Sequence, residues 1–191
     1  MGDIVALLIA SLAVMGSPGP STVSATAMGA AYGIARSLPY VGGLIAGTST
    51  VLLAVALGVI AMIAGVPQLA PLLVGAAGLY ILYLAWQIAT APPLQADAGT
   101  TRAPAFAGGY LLAVANPKAW LAIAAVFASA PRLGAVLRVA LLVGMIVLIH
   151  AVWLGLGAAL ARVLRQPVAS RIINVGLAVA MVGLTAVALI G

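Results

Sequence analysis

The stretch AVMGSPGPST, residues 13–22, places two prolines and two glycines inside an otherwise apolar run. Pro18 and Pro20 lack amide protons, and their rings crowd the preceding turn, so the helical hydrogen-bond ladder is expected to open around Gly16 to Gly19. Because proline fits well in the first turn of a helix, Pro20 is expected to begin a second helical piece. The stretch therefore predicts a helix that is broken in its middle.

The composition of the whole chain places this break in a membrane. Of 191 residues, 65% are apolar and 5% are charged, whereas soluble domains have about 25% charged residues. The net charge of +6 is better explained by membrane topology than by a nucleic-acid surface. We therefore expect the lipid bilayer as a partner and no nucleic acid. The absence of cysteine excludes disulfides, thiolate metal sites and thiol catalysis.

The apolar segments divide the chain into two similar halves. A membrane helix needs about 20 apolar residues, and this length predicts spans near 3–31, 41–64, 69–90, 104–130, 136–161 and 170–190. A polar linker at 91–104 separates a first repeat, 1–90, from a second repeat, 105–191. The odd-numbered loops carry most of the basic residues, namely Arg36, Arg102, Arg162, Arg165 and Arg171. By the positive-inside rule these loops are cytoplasmic, and both termini are periplasmic.

The fourth predicted span contains a second break, the motif NPK at residues 116–118. Asn116 is expected to cap a new helix with Pro117 at its first position, and Lys118 adds a positive charge there. A shift of 97 residues places Pro20 on Pro117 and also aligns Gly47 with Gly144 and Leu57-Gly58 with Leu154-Gly155.

This internal similarity predicts an all-α membrane protein of six helices. Because each half holds three spans, the second half enters the membrane from the opposite side, which makes a 3+3 inverted repeat. Helices 1 and 4 are broken at PGP and NPK, and in such folds the site lies where the broken helices meet. The alternative is that each proline only kinks its helix, as many membrane prolines do.

At these two motifs the sequence resembles the LysE/RhtB family of bacterial amino-acid exporters, which carry PGP in the first span and NPK in the fourth. The similarity continues through residues 43–63, 75–86 and 106–130. It implies a secondary transporter of the bacterial inner membrane that exports small amino acids or their derivatives by proton antiport. The chain departs from the family at Thr48, where many members carry an acidic residue after the glycine.

The candidate substrate-binding residues are Pro18, Gly19, Pro20, Ser21, Thr22, Thr48, Asn116, Pro117 and Lys118. Free amides are expected at residues 21–23, where the first broken helix restarts. These amides, the second helix start and the Lys118 ammonium suit a carboxylate. The spans hold no evident acid for a cationic side chain, which favours a neutral or zwitterionic amino acid. Two alternatives stay open: Lys118 reaches the membrane surface, or the Thr48 hydroxyl bonds its own helix.

His150, the only histidine, lies inside the fifth predicted span. It is the one side chain that ordinarily titrates near neutrality, which makes it a candidate for proton coupling. A packing role is the alternative. With one histidine and two peripheral aspartates, no nucleophile–base pair or metal cluster can be drawn, so we expect no enzyme activity, cofactor or bound metal. The alternative function is efflux of a metal cation or another small solute, and the sequence does not decide between a monomer and a homodimer.

Overall fold

The computed structural model describes residues 2–58 and 105–164, together with isolated positions between 79 and 90 and between 166 and 183. Within the two long ranges every regular element is an α-helix. The helices are α1 (Gly2–Val14), α2 (Pro20–Ala56), α3 (Phe106–Val114), α4 (Pro117–Ala128) and α5 (Ala135–Leu164). The linker and most of the predicted third and sixth spans lie outside the described residues.

Helix α2 folds back on itself at Gly33, whose φ of 73° and ψ of 174° interrupt the helix. This left-handed conformation favours glycine because it lacks a Cβ. Across the corner, the Ser24 and Tyr40 hydroxyl oxygens are 2.6 Å apart, and Ser37 Oγ donates to the Met28 carbonyl at 2.9 Å. The first arm (residues 20–32) and the second arm (residues 34–56) are therefore antiparallel neighbours. The sequence predicts a longer connection here, between residues 31 and 41, and the single-glycine corner replaces it.

Glycines bring two pairs of helices into backbone contact. One crossing joins the second arm of α2 to α3, and the other joins the first arm of α2 to α5. At both crossings an added Cβ would collide with a carbonyl oxygen of the neighbouring helix, so only glycine permits this approach. The glycine–carbonyl pairs are Gly43 with Phe106, Gly109 with Tyr40, Gly29 with Leu154, and Gly157 with Thr26.

Two buried apolar clusters hold the described helices together. The first cluster draws on α1, the end of the second arm, α4 and the first half of α5; its members are Leu7, Val51, Leu52, Ile123, Val126, Ala130, Leu142 and Ile146. The second cluster draws on both arms, α3 and the later part of α5; its members are Ala25, Tyr40, Val41, Leu44, Leu112, Ala113 and Leu154. Each cluster joins helices from both halves of the chain, so the halves do not pack as separate units.

The described helices have the length and hydropathy of membrane spans. The segment Pro20–Ala56, which includes the corner at Gly33, and the helix Ala135–Ala161 each contain a stretch long and apolar enough to cross a bilayer. Phe106–Val114 and Pro117–Ala128 reach that length only as a pair, which is bent by 62° at the junction. Large apolar side chains such as Ile9, Leu38 and Leu148 remain more than half exposed, as lipid-facing residues do. The chain is a multi-pass helical membrane protein.

Candidate functional site

Residues 15–19 connect the end of α1 to the start of α2 and leave backbone carbonyls without helical partners. Side chains from distant parts of the chain bind these carbonyls. Trp153 Nε1 donates to the Gly16 carbonyl at 3.0 Å. Lys118 Nζ donates to the carbonyls of Ser17 and Pro18, the latter at 2.9 Å. The polar backbone of the first break is therefore stabilised by α4 and α5.

The start of α2 is stabilised by one threonine. Gly19 N donates to Thr22 Oγ1 at 2.8 Å, and the same hydroxyl lies 3.1 Å from the Gly19 carbonyl. Val23 N donates to that carbonyl at 2.8 Å. The expectation that the Val23 amide is unpaired is therefore wrong, because Gly19 is the N-cap and its carbonyl accepts the first helical hydrogen bond.

Gly19 is needed for space and not for its backbone conformation. Its φ of −175° and ψ of 178° are extended values that any residue adopts. A Cβ on Gly19 would lie 2.6 Å from Lys118 Cδ and 3.0 Å from Lys118 Nζ. The central glycine of PGP thus lets the lysine of NPK lie against the backbone of the first break.

The second break is short and is stabilised by its own residues. Asn116 caps α4 by accepting from Lys118 N at 3.1 Å through its side-chain oxygen, and Pro117 occupies the first turn. Both features confirm the cap predicted from the sequence. Trp120 Nε1 donates to the Val114 carbonyl at 2.8 Å. The Lys118 amide and the Val114 carbonyl therefore find their hydrogen-bond partners within one or two helical turns.

Two side chains of the NPK motif connect the breaks. Besides the Lys118 contacts, Asn116 Nδ2 donates to Ser21 Oγ at 2.9 Å, and both residues are buried. Asn116 therefore caps α4 with its oxygen and binds the first turn of α2 with its nitrogen. The motifs that the sequence places 97 residues apart are in direct contact.

A cavity of about 40 Å³ lies beside this junction. It is lined by Met15, Gly19, Ser21, Thr22, Thr48, Asn116, Lys118, Ala119, Ala122, Ile123, Ile146, Ile149 and His150. The polar residues come from the two breaks, from the second arm of α2 and from α5. The apolar residues come from α4, from α5 and from Met15 in the first break.

The structure brings together most of the candidate residues, and the three prolines have other places. Gly19, Ser21, Thr22, Thr48, Asn116, Lys118 and His150 all line the cavity. Pro18, Pro20 and Pro117 are not among the lining residues. Pro18 gives its carbonyl to Lys118, whereas Pro20 and Pro117 begin α2 and α4. Thr22 lines the cavity, but its hydroxyl is hydrogen-bonded to the Gly19 backbone at the start of α2.

Two buried polar atoms of the lining residues have no hydrogen-bond partner: Thr48 Oγ1 and His150 Nε2. The other ring nitrogen, His150 Nδ1, lies 2.8 Å from the Ile146 carbonyl. A carbonyl oxygen only accepts, so Nδ1 carries the proton and Nε2 is an acceptor in the neutral ring. The cavity therefore contains unused hydrogen-bonding capacity at the side of α2 and α5.

Two residues of the site were not predicted from the sequence: Trp120 and Trp153, whose indoles donate to the carbonyls of the two breaks. A signal for them exists. A buried indole N–H needs an acceptor, and a broken membrane helix supplies carbonyls that need donors. Trp120 lies two residues after Lys118, and Trp153 lies one helical turn after His150, which places each beside a residue already singled out.

Comparison with known proteins gives one family match. The family model of the LysE type translocator matches residues 12–191. The matched range contains both breaks and every residue that lines the cavity. No curated protein and no solved structure gives a significant match. Since the family model covers nearly the whole chain, the protein is a member of the LysE type translocator family.

Proposed function

We propose that the protein exports small neutral or zwitterionic amino acids across the bacterial inner membrane in exchange for protons. The observation that carries this proposal is the Lys118 ammonium, which lines a cavity between two helix breaks. Family membership supports transport of a small solute. The substrate class is inferred from the cavity, whereas exchange for protons is what the resemblance to the amino-acid exporters implies, with His150 as the candidate coupling residue.

Two donors in the cavity are available to a carboxylate. An ammonium has three N–H donors, and Lys118 uses two of them on the Ser17 and Pro18 carbonyls. Ser21 Oγ accepts from Asn116, which leaves its own hydroxyl proton to donate. A positive charge at this position attracts a carboxylate and repels a cationic substrate side chain. Lys118 in the cavity lining therefore favours the carboxylate of a neutral amino acid.

The packing of the helices supports the 3+3 inverted repeat. In the first cluster α1 meets the first half of α5, and in the second cluster α3 meets the start of the second arm of α2. Similarly, α4 packs on the end of the second arm, as the first arm of α2 packs on the end of α5. If the two halves of the chain exchange places, the contact of α1 with α5 becomes that of α3 with the second arm, and the contact of α4 with the second arm becomes that of the first arm with α5. A two-fold axis in the membrane plane relates contacts in this way. In this proposal α1 with the first arm, and α3 with α4, each form one broken span.

The size of the cavity implies that the walls move during transport. A space of about 40 Å³ holds a few water molecules and is too small for an amino acid. We therefore infer that the cavity widens when substrate binds, as one repeat moves against the other. The arginine distribution places both termini on the periplasmic side.

The direct test is transport by the purified protein in lipid vesicles. A panel of labelled amino acids with small apolar, polar, cationic and acidic side chains is loaded, and efflux is followed with and without an imposed proton gradient. We expect efflux of neutral members, accelerated by the gradient, and strong loss in Lys118→Ala. Transport of divalent cations without any amino acid would favour the alternative of metal efflux. If Lys118→Ala transports normally, the carboxylate assignment is wrong.

A further inference from the structure

We infer that His150 Nε2 and Thr48 Oγ1 form a subsite for the ammonium group of the substrate, at which a proton competes with the substrate. The inference rests on the proposed function, because it names residues of the same cavity that bind a second group of the proposed substrate. It gives His150 a binding role in addition to the titration considered from the sequence alone.

The environment of His150 leaves one ring nitrogen for a ligand. The side chain is only 4% exposed, and its Nδ1–H is used on the Ile146 carbonyl. Its Nε2 is buried without a partner. Burying a polar atom without a hydrogen bond costs roughly 1–3 kcal/mol, so such an atom beside a cavity is expected to bind water or a ligand. In the neutral ring Nε2 accepts, and the N–H groups of an ammonium are suitable donors.

Thr48 differs from Thr26 and Thr50, two other threonines of α2, in its hydrogen bonding. Thr26 and Thr50 donate to the carbonyls of Thr22 and Ala46, four residues earlier, both at 3.0 Å. This is the usual arrangement for a threonine in a membrane helix. Thr48 makes no such bond although it is 5% exposed and lines the cavity. Its hydroxyl is therefore free to accept from an ammonium beside His150.

The polar groups that line the cavity are complementary to a zwitterion. Lys118 and Ser21 present donors for a carboxylate, whereas His150 and Thr48 present acceptors for an ammonium. The lining also includes the apolar residues Ala122, Ile123, Ile146 and Ile149. An α-amino acid with a short apolar side chain satisfies all three parts of this lining.

Protonation of His150 removes the acceptor that the ammonium needs. A proton on Nε2 turns this atom into a donor and makes the ring a cation, which repels an ammonium. Among the described residues that line the cavity with His150, the charged or titratable one on another element is Lys118 on α4, and α2 contributes only hydroxyls. One proton that enters therefore displaces one substrate molecule, which is the stoichiometry of a one-for-one antiport.

The test measures substrate binding as a function of pH in the purified full-length protein. For competition at one site, wild-type affinity is expected to fall about tenfold for each pH unit once the imidazole protonates. In His150→Gln the amide oxygen still accepts but does not titrate. We expect binding that is independent of pH in this range and exchange of substrate that no longer responds to a proton gradient. In His150→Asn the shorter amide NH2 keeps the bond to the Ile146 carbonyl, but its oxygen does not reach the position of Nε2, so binding is expected to be lost.

The matched pair Thr48→Val and Thr50→Val tests the second ligand. We expect Thr48→Val to weaken binding of 2-aminobutyrate at least fivefold without changing binding of butyrate, which lacks the ammonium, and Thr50→Val to change neither. The ammonium subsite is refuted if His150→Gln keeps the wild-type pH dependence or if the two threonine variants behave alike. Those results leave amino-acid transport by the wild type intact. If the wild type moves no amino acid, the proposed function fails, and this inference fails with it.

Discussion

The two helix breaks differ in where their polar backbone groups find partners. At the first break, Trp153 is 137 residues from the Gly16 carbonyl that it binds, and Lys118 is about 100 residues from Ser17 and Pro18. At the second break, Trp120 is six residues from the Val114 carbonyl, and the Asn116 cap acts two residues away. The second break is thus formed by local sequence, whereas the first requires the second half of the chain to be in place.

This difference assigns unlike roles to two equivalent positions of the repeat. The NPK motif caps its own helix through Asn116. Its Asn116 and Lys118 side chains also donate hydrogen bonds to the first break and the start of α2. The PGP break supplies the carbonyls that accept from Lys118, and its Gly19 leaves space for the Lys118 side chain. A substrate carboxylate that draws Lys118 away from the Ser17 and Pro18 carbonyls would therefore loosen the first break and leave the second intact.

The largest effect is expected from Gly19→Ala, which places a methyl group against Lys118 Cδ and Nζ. Both atoms belong to a flexible side chain, so the protein should fold while the ammonium leaves the carbonyls. The displaced ammonium also loses its charge-assisted hydrogen bond to the substrate carboxylate, worth about 1.5–3 kcal/mol, which weakens substrate binding roughly 10- to 100-fold. The measurement is substrate affinity with thermal stability recorded beside it. Gly144→Ala, where no atom lies within 4 Å of the added Cβ, is the control and should bind normally.

A smaller effect is expected from removing each indole N–H. Trp153→Phe and Trp120→Phe keep an aromatic ring but leave the Gly16 or the Val114 carbonyl unpaired, at about 1–3 kcal/mol each. Trp153→Phe should also slow transport, because it disconnects α5, which carries His150, from the first break. Unfolding in detergent and vesicle transport are the two readouts. Equal transport by both variants would contradict the proposed dependence of the first break on remote partners.

The caps of the two helices allow a third comparison. Asn116→Ala removes the N-cap of α4, and such losses cost about 0.5–2 kcal/mol. Thr22→Val leaves Gly19 N without its acceptor and should cost a similar amount, since this is the local bond that orders the first break. Chemical denaturation of both variants measures the two values. No change in Thr22→Val would mean that remote side chains alone order the start of α2.

The smallest effect is expected from the hydrogen bond that joins the breaks. Ser21→Ala removes the acceptor of Asn116 Nδ2 without touching the α4 cap, and we expect a loss of about 1 kcal/mol. Ser17→Ala is the matched control, because its hydroxyl is exposed and bonds only the nearby Val14 carbonyl. Thermal unfolding of the pair separates the contact between breaks from local loss of a hydroxyl. A Ser21→Ala protein as stable as Ser17→Ala would show that Lys118 alone joins them.

Much of the local structure could be predicted from particular residues. Pro20 and Pro117 do begin helices, and Asn116 does cap α4, because proline chemistry and capping act within one turn. The corner at Gly33 could not be placed in this way. A glycine in an apolar run is equally suited to close packing, as Gly29 shows, or to a positive φ. The predicted inverted repeat, third span and sixth span remain predictions.

By itself the sequence determined that the chain belongs in a membrane, where its helices stop and start, and which polar side chains are scarce enough to matter. Only the tertiary structure decided what those side chains bind. Lys118 lies on carbonyls about 100 residues away, while the Thr48 hydroxyl and His150 Nε2 remain unpaired beside the same cavity. The physical reason is distance along the chain: proline and cap effects depend on the next few residues, whereas these hydrogen bonds form only after helices from both halves pack together.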